Sequence, residues 1–536
     1  MSDVEALVET LKQEGLQIRT VPLGGSALSR ALQTGLAGRD WLTPRPVGAA
    51  AWRAHAERVR AGFAGDAWYQ SLAPAISATG AAAVRLQRAI ASGVVVTTGQ
   101  QPGLFGGPTY TFSKALGALA FADALEAASG IPVAPIFWAA SDDADWMEAA
   151  VTHVATARGL LTAQLAGPAT DGVAMAEVPL GDLSEARAVL DQALGSVPHR
   201  SIVDLVDSAY VPHATVGGAY VQLLRALLEP LGIAVLDASH AAVREAADPH
   251  LRRALKQSAA AHEALVARVQ AIEAAGHAPQ VDVVDGLSLV FHTQTASVDG
   301  QVRRVRERVP IADAAQVARE ATAGSLGANV LLRPVIERAI LPTVCYMAGP
   351  GELAYFAQVG PIATALGLAE PVVAPRWAGA LVEDQVLRLQ EHLCISDEDL
   401  MDPHAAEQMV ARGRVDAEVA DTLERLRITM DAQLRTLQDA MRGDSAPVAD
   451  QVVEGLSRDL THRLDRFERR VLAGVKRRES EVMREVAVVR AALRPAGQPS
   501  ERVLNLIPIL ARYGVRVLPA MREAAAPHAA ELLGIT

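Results

Sequence analysis

The chain has 536 residues, half of them hydrophobic and 21% charged, with 41 Gly and 29 Pro. That excludes a disordered, collagen-like or low-complexity protein and gives length for roughly three or four structural units of ~150 residues. The net charge of −11 leaves no basic footprint, so nucleic acid is not an expected partner, and two cysteines, Cys345 and Cys394, exclude a disulfide framework or a Cys-based metal cluster.

The start, MSDVEALVETLKQEGL, is acidic and lacks an apolar core of the kind a signal peptide carries, and no apolar run reaches the ~18–20 residues that span a bilayer. With the sparse cysteines this sets the expectation of a cytoplasmic protein with no membrane partner. From about residue 94 to 376 short β-branched runs alternate with helical stretches, which predicts an α/β fold with a parallel sheet. The strands are expected at Val94–Thr98, Val133–Ala139, Ile233–Asp237, Leu287–His292, Val344–Ala348 and Val372–Ala374. Leu116, Leu119, Ala120 and Ala124 lie at helical spacing between the first two, so residues 94–139 read as one β-α-β unit opening a nucleotide-fold core. Residues near 153–200 and 241–330 interrupt the alternation and read as insertions into a core spanning 1–389.

After Arg376 the strand signal ends. Val415, Val419, Leu423, Leu426, Met430, Leu434, Leu437 and Met441 are spaced 4, 4, 3, 4, 4, 3, 4, an eleven-residue repeat that gives a nearly straight apolar seam. A second seam runs Leu456, Leu460, Leu464, Phe467, Val471, Val475, takes a polar step at Arg478, and resumes at Val482 through Leu493. Gly443, Asp444 and Pro447 separate the two, so 390–500 reads as an antiparallel helical coiled-coil hairpin with helices of ~40 Å or more. Such a seam is expected either to dimerise or to be consumed within the hairpin. Residues 501–536 regain mixed apolar character and are expected to pack back on the core.

Chemistry is expected at the strand ends. Gly93–Lys114, GVVVTTGQQPGLFGGPTYTFSK, runs a strand into a turn carrying Gly99, Gln100, Gln101, Gly103, Gly106 and Gly107, then into a helix, with Tyr110 a further candidate binding residue. Bare amides and a helix start suit phosphate or carboxylate, while a purely structural glycine turn is the alternative. The segment matches neither GxGxxG nor GxxxxGKS. In Pro135–Trp146, PIFWAASDDADW, the acids Asp142, Asp143 and Asp145 follow a strand and, with Ser141, read as catalytic, metal-holding or amine-binding groups, or else as helix caps. Val344–Gln358 repeats the strand, glycine turn, helix pattern with Gly349, Gly351, Glu352, Tyr355 and Gln358, and Arg376 follows the last strand, as a ligand or as a salt-bridge partner. Cys345 lies within an apolar strand and reads as a core residue, and no HExxH occurs.

TGQQPGLFGGPTYTFSKA at 98–115, PIFWAASDDADW at 135–146, LLRPVIERAILPTVCYMAGPGELAYFAQ at 331–358, PVVAPR at 371–376 and ERVLNLIP at 501–508 together resemble the BshC family, cysteine-adding enzymes of bacillithiol biosynthesis. The resemblance implies a class I aminoacyl-tRNA-synthetase-like Rossmann core with two connecting-peptide insertions and a homodimerising C-terminal coiled coil with a nucleotide site near it. It also implies ATP-dependent amide formation between L-cysteine and the amine of glucosaminyl malate, with ATP or ADP as cofactor; carboxylate activation by ATP normally calls for Mg²⁺ to neutralise phosphate charge, and Asp142, Asp143 and Asp145 are the candidate oxygen ligands. One motif departs: where the family carries two histidines and an asparagine, this chain has Ala144, Val151 and Ala150. The other reading is therefore a dimeric nucleotide- or thiol-metabolite-binding protein, or a ligase for another amine.

Overall fold

The computed structural model describes residues 3–535 apart from 39, 64, 168–171, 299–300, 403 and 442–446. The chain forms two units: Met1–Val154, Leu161–Val382 and Glu501–Thr536 make the first, and Ala155–Leu160 with Glu383–Ser500 the second.

The first unit is built on a five-stranded sheet of β1 (Val94–Gln100), β2 (Val133–Ala139), β3 (Ala234–Asp237), β7 (Thr343–Ala348) and β8 (Val373–Pro375). Its order is β8-β7-β1-β2-β3, with every pairing parallel. Parallel sheets are covered on both faces, and β1 and β2 accordingly read as unbroken apolar runs, buried almost throughout. Alternate residues serve the two sides: Val94, Val96 and Phe137 pack with α1 (Tyr110–Ser129), whereas Val95 and Ile136 pack under the helices Ala67–Ile76 and Gly80–Ser92. Most of α1 is buried, because α10 (Val517–Leu533) lies on its outer side. The predicted Rossmann-like α/β fold is present, with strand ends displaced by one or two residues: β1 runs on to Gln100, β7 starts at Thr343, and β3 and β8 start at Ala234 and Val373.

The insertion after β2 contains α2 (Trp146–Ala149), the strands Val151–Thr156 and Gly159–Gln164, and the helices Ser184–Leu194 and Arg200–Ala209. The second insertion holds α3 (Ala241–Lys256), the helix Ser258–Ala274, and a three-stranded antiparallel sheet ordered β5-β4-β6: β4 (Leu287–Val298), β5 (Gln301–Pro310) and β6 (Leu326–Ala328). The LSLVFH strand thus lies outside the main sheet, and the charged run RRVRERV is its neighbouring strand. The chain returns to the main sheet through α4 (Arg333–Ile340), and α5 (Pro350–Phe356) follows β7. Residues 501–535 do pack on this unit: Thr109 N–H donates to the Leu504 carbonyl at 2.8 Å.

In the second unit α6 (Ala405–Gly413) precedes two long helices, α7 (Ala417–Ala440) and α8 (Asp450–Arg478), and α9 (Ser480–Leu493) continues α8 after a break at Glu479. The break falls where the seam takes its polar step. At 1.5 Å per residue the long helices are about 36 and 44 Å. The first is shorter than expected because the Asp416 carboxylate caps it, accepting from Glu418 and Val419 N–H. Of the expected breakers, Gly443 and Asp444 lie outside the described residues. The hairpin consumes part of its seam: Leu434, Leu464 and Val475 are buried, as is Leu472 beside the seam, while Leu426, Leu456 and Phe467 stay exposed at 52%, 43% and 54%. Among the described residues no helix is long and apolar enough to cross a membrane.

Candidate functional site

The carboxyl ends of β1, β2, β7 and β8 open into one pocket of about 860 Å³, closed on its far side by α3 and the three-stranded sheet. Strands in parallel end at the same sheet edge, so loops distant in sequence converge there. Gly99, Gln100, Gln101, Tyr110, Asp142, Asp143, Gly349, Gly351, Glu352, Tyr355 and Arg376 all line this pocket. At Gly99 a Cβ would fall 2.6 Å from the Trp138 carbonyl, so only glycine lets β1 and β2 end this closely.

Four expected site residues lie elsewhere, each taken by a local structural duty. Asp145 caps α2, its carboxylate accepting from Glu148 N–H at 3.1 Å. Ser141 is buried, donating to Asp237 and accepting from Ser239 N–H at 3.1 Å. Gln358 bonds the backbone of Val281 in both directions. Gly107 belongs to a turn whose carbonyls are gathered by Asn505: its Nδ2 donates to Leu104, Phe105 and Gly107 at 3.2, 3.0 and 3.1 Å. That clamp, with Tyr210 against the Phe105 ring at 4.9 Å, holds Phe105 at φ 53°, where a bulky side chain is strained.

At the centre is Lys114, which carried no expectation of its own. One turn after Tyr110 on α1 and 3% exposed, its ammonium reaches Glu352 at 2.6 Å, the Gly99 carbonyl at 2.7 Å and Gln100 Oε1 at 2.8 Å. A lysine inside an otherwise apolar helix was the available signal. Gln100 then donates to the Tyr110 hydroxyl at 2.8 Å, Tyr110 donates to Glu148 Oε1 at 3.2 Å, and Gln101 donates to the other Glu148 oxygen. Glu352 also accepts from Gly349 N–H and the Tyr346 hydroxyl, each at 2.6 Å, and Arg333 donates to Tyr355 at 3.0 Å. Glu352 and Tyr355 therefore face the pocket with much of their bonding capacity already used.

Burial pushes the Glu352 carboxyl up, but Lys114 and the three bonds it accepts outweigh this and hold it below the usual carboxylate range. Burial, reinforced by Arg376 and Arg333, draws Lys114 down against the pull of Glu352. Asp143 is raised, first by burial and then by Asp142, against the bond from Asp145 N–H. Loss of hydration likewise raises Glu148 at the rim. Cys345, pushed up to about 12 by burial, is no nucleophile.

Of the two roles expected for it, Arg376 fills that of salt-bridge partner. Its guanidinium makes a two-pronged pair with Glu501 at 2.6 and 3.0 Å, while its Nε stays buried in the pocket wall with no protein acceptor. Trp138 Nε1 is a second buried donor of this kind in the same wall. Asp142 stands 3.8 Å from Arg306 of β5, so the acidic edge meets a basic one. With Asp145 occupied as a cap, the three aspartates do not form a cation cage, and no group of three or more His, Cys, Asp or Glu converges as a metal site among the described residues. Ala144, Ala150 and Val151 are all absent from the pocket walls, and Ala150 is buried in the core. In the second unit a cavity of about 190 Å³ is lined by Arg412, Leu423, Arg427 and Leu464, with Arg427 paired to Asp465 and Glu468. This is below the ~300–1,000 Å³ usual for ligand pockets, too small to enclose a nucleotide.

The model of the bacillithiol biosynthesis BshC N-terminal Rossmann-like domain matches residues 68–377, and that of the BshC C-terminal coiled-coil domain matches 379–534. The chain is 30% identical over 438 residues to a "Putative cysteine ligase BshC" of Solibacter usitatus, covering 80% of this chain and 81% of the relative. It is 29% identical over 469 residues to one of Koribacter versatilis, covering 85% and 86%, and 29% identical over 547 residues to one of Symbiobacterium thermophilum, covering 93% and 96%. With a parallel sheet of matching domain type and matches running nearly from end to end, this chain belongs to the BshC family.

Proposed function

We propose that this protein is a cytoplasmic, homodimeric ligase that joins the carboxylate of L-cysteine to the amine of glucosaminyl malate at the expense of ATP. The observation that carries the reading is the pocket at the strand ends. It brings the carboxylates of Asp142 and Asp143 and the cations Lys114 and Arg376 to the wall of one cavity, a mixture suited to an amine nucleophile meeting an activated carboxylate. Its volume lies within the ~300–1,000 Å³ that small-molecule sites occupy.

ATP, when bound, would supply the phosphoryl or adenylyl group that activates the cysteine carboxylate, with ADP or pyrophosphate released, and Mg²⁺ would enter with its phosphates, since the aspartates form no cage for it among the described residues. The amine nitrogen attacks the carbonyl carbon, the C–O bond to the phosphate-bearing leaving group breaks, and the proton lost by nitrogen passes to Asp143. The raised Asp143 carboxyl fits a general base better than an ordinary aspartate does. Dimerisation through the coiled coil is supported by Leu426, Leu456 and Phe467, which the hairpin leaves exposed.

The test is to incubate the full chain with ATP, Mg²⁺, L-cysteine and glucosaminyl malate and to follow the thiol product by mass spectrometry. Product is expected from the wild type and not from a folded Asp143→Asn. Nucleotide binding without product, with other amines also supplied, would move the conclusion to a binding protein.

A further inference from the structure

The β5 strand of the second insertion turns a row of arginines toward the pocket. Side chains two apart on a strand share a face, and Arg304, Arg306 and Arg308 all line the cavity together with Phe291 and Thr293, their neighbours on β4. The row is held in place with care. Arg306 lies over the Phe291 ring at 4.8 Å from its centroid, and a Cβ at Gly327 would come within 3.3 Å of its guanidinium.

The charges on this row are unevenly answered. Arg304 pairs with Glu177 at 3.0 Å, and Arg306 has Asp142 at 3.8 Å. Arg308 meets no carboxylate among the described residues: it donates from Nε and one terminal nitrogen to the Ser288 carbonyl, at 3.0 and 2.6 Å. Arg244 of α3, also on the pocket wall, donates to the Ser239 carbonyl and likewise has no acid partner among the described residues. Two incompletely neutralised guanidinium groups therefore face a half-enclosed space whose wall also carries the apolar Phe291, Leu326 and Leu251. Positions two apart on a strand are ~6.6 Å apart, a separation that two carboxylates joined by a short carbon link can span. A guanidinium fork binds a carboxylate through two parallel hydrogen bonds.

We propose that Arg308, with Arg306 and Arg244, forms a subsite for a four-carbon dicarboxylate, the malyl part of the acceptor, and thereby turns the acceptor's amine toward Asp143. The ladder is a sheet face rather than a glycine turn or helix start, and its apolar flank favours a carbon-linked dianion over a polyphosphate. The inference deepens the ligase reading and rests on it for the identity of the acceptor; the subsite itself is tested without turnover.

Calorimetric titration of the full-length protein with L-malate, acetate and pyrophosphate reads it directly. L-malate is expected to bind more tightly than acetate. Arg308→Met should weaken L-malate at least ~10-fold, and Arg308→Lys, which keeps the charge but loses the fork, should fall between. Should Arg308→Met fail to fold, Arg244→Met carries the same expectation. Undetectable L-malate binding, equal binding of acetate, pyrophosphate in preference to L-malate, or a folded Arg308→Met within twofold of wild type would each overturn the subsite. Ligation of glucosaminyl malate with no L-malate binding would sink this inference alone. Arg308-dependent L-malate binding without any ligated product would uphold it and sink the ligase reading.

Discussion

Replacing Lys114 with Met isolates the ion pair at the centre of the pocket. Met keeps most of the side-chain volume but leaves the Glu352 carboxylate buried against Tyr346 and Gly349 without its cation. Lys114 and Glu352 side chains are 4% and 16% exposed, so the pair belongs to the class in which losing one partner costs about 3–5 kcal/mol. The first unit holds about 400 residues, and at ~2.1 cal/mol/K per residue that loss lowers Tm by about 4–6 °C. The sign of the pH dependence is diagnostic. In the wild type Glu352 sits below its unfolded value, so its contribution is present at neutral pH and is lost only as pH falls through the folded value. In Lys114→Met burial is no longer opposed by the cation, and the folded value rises above the unfolded one. The variant should then lose stability as pH rises from mildly acid to neutral, a trend this group does not give the wild type. Lys114→Met/Glu352→Gln removes both charges and should recover most of the loss. Differential scanning calorimetry of the four proteins across that pH range measures both effects. A single variant within about 1 °C of wild type, or a double variant no better than the single, would refute the buried-pair account.

Asn505→Ala removes the amide that gathers three turn carbonyls and should cost at least ~2 kcal/mol by thermal unfolding while weakening ligand binding at the strand ends. Phe467→Glu, at a site 54% exposed on α8, should shift the protein from dimer to monomer in sedimentation with little change in Tm; a wild type already monomeric at micromolar concentration would remove the dimer proposal. With Asp143 as the proposed base, and its carboxyl raised by burial, kcat/KM should increase with pH through a midpoint above the ordinary aspartate value. The same shift means that the ionised carboxylate opposes folding at neutral pH, so Asp143→Asn should be inactive yet no less heat-stable; an inactive variant with a markedly lower Tm would contradict this.

The strands, the helical hairpin and the convergence of four loops follow from the sequence by itself, because each rests on local regularity. Unbroken apolar runs such as VAPIFWA mark strands buried on both faces, and strands in parallel must end at one edge. The 4, 4, 3 spacing similarly sets the seam of α7 and α8 and even the break near Arg478. What each polar residue does was decided only in the folded chain, since a side chain's partner is set by what the topology carries to it. Asp145 and Asp143 stand two residues apart in one acidic word, yet one caps α2 and the other enters the pocket. Arg376 found Glu501 from 125 residues away, and Asn505 reaches back about 400 residues to the glycine turn. The arginine row of β5 reads in sequence only as a charged segment within an insertion. It became a pocket wall because its three-stranded sheet lies across the strand ends, where the even spacing that looks unremarkable along the chain aims every second guanidinium at the same space.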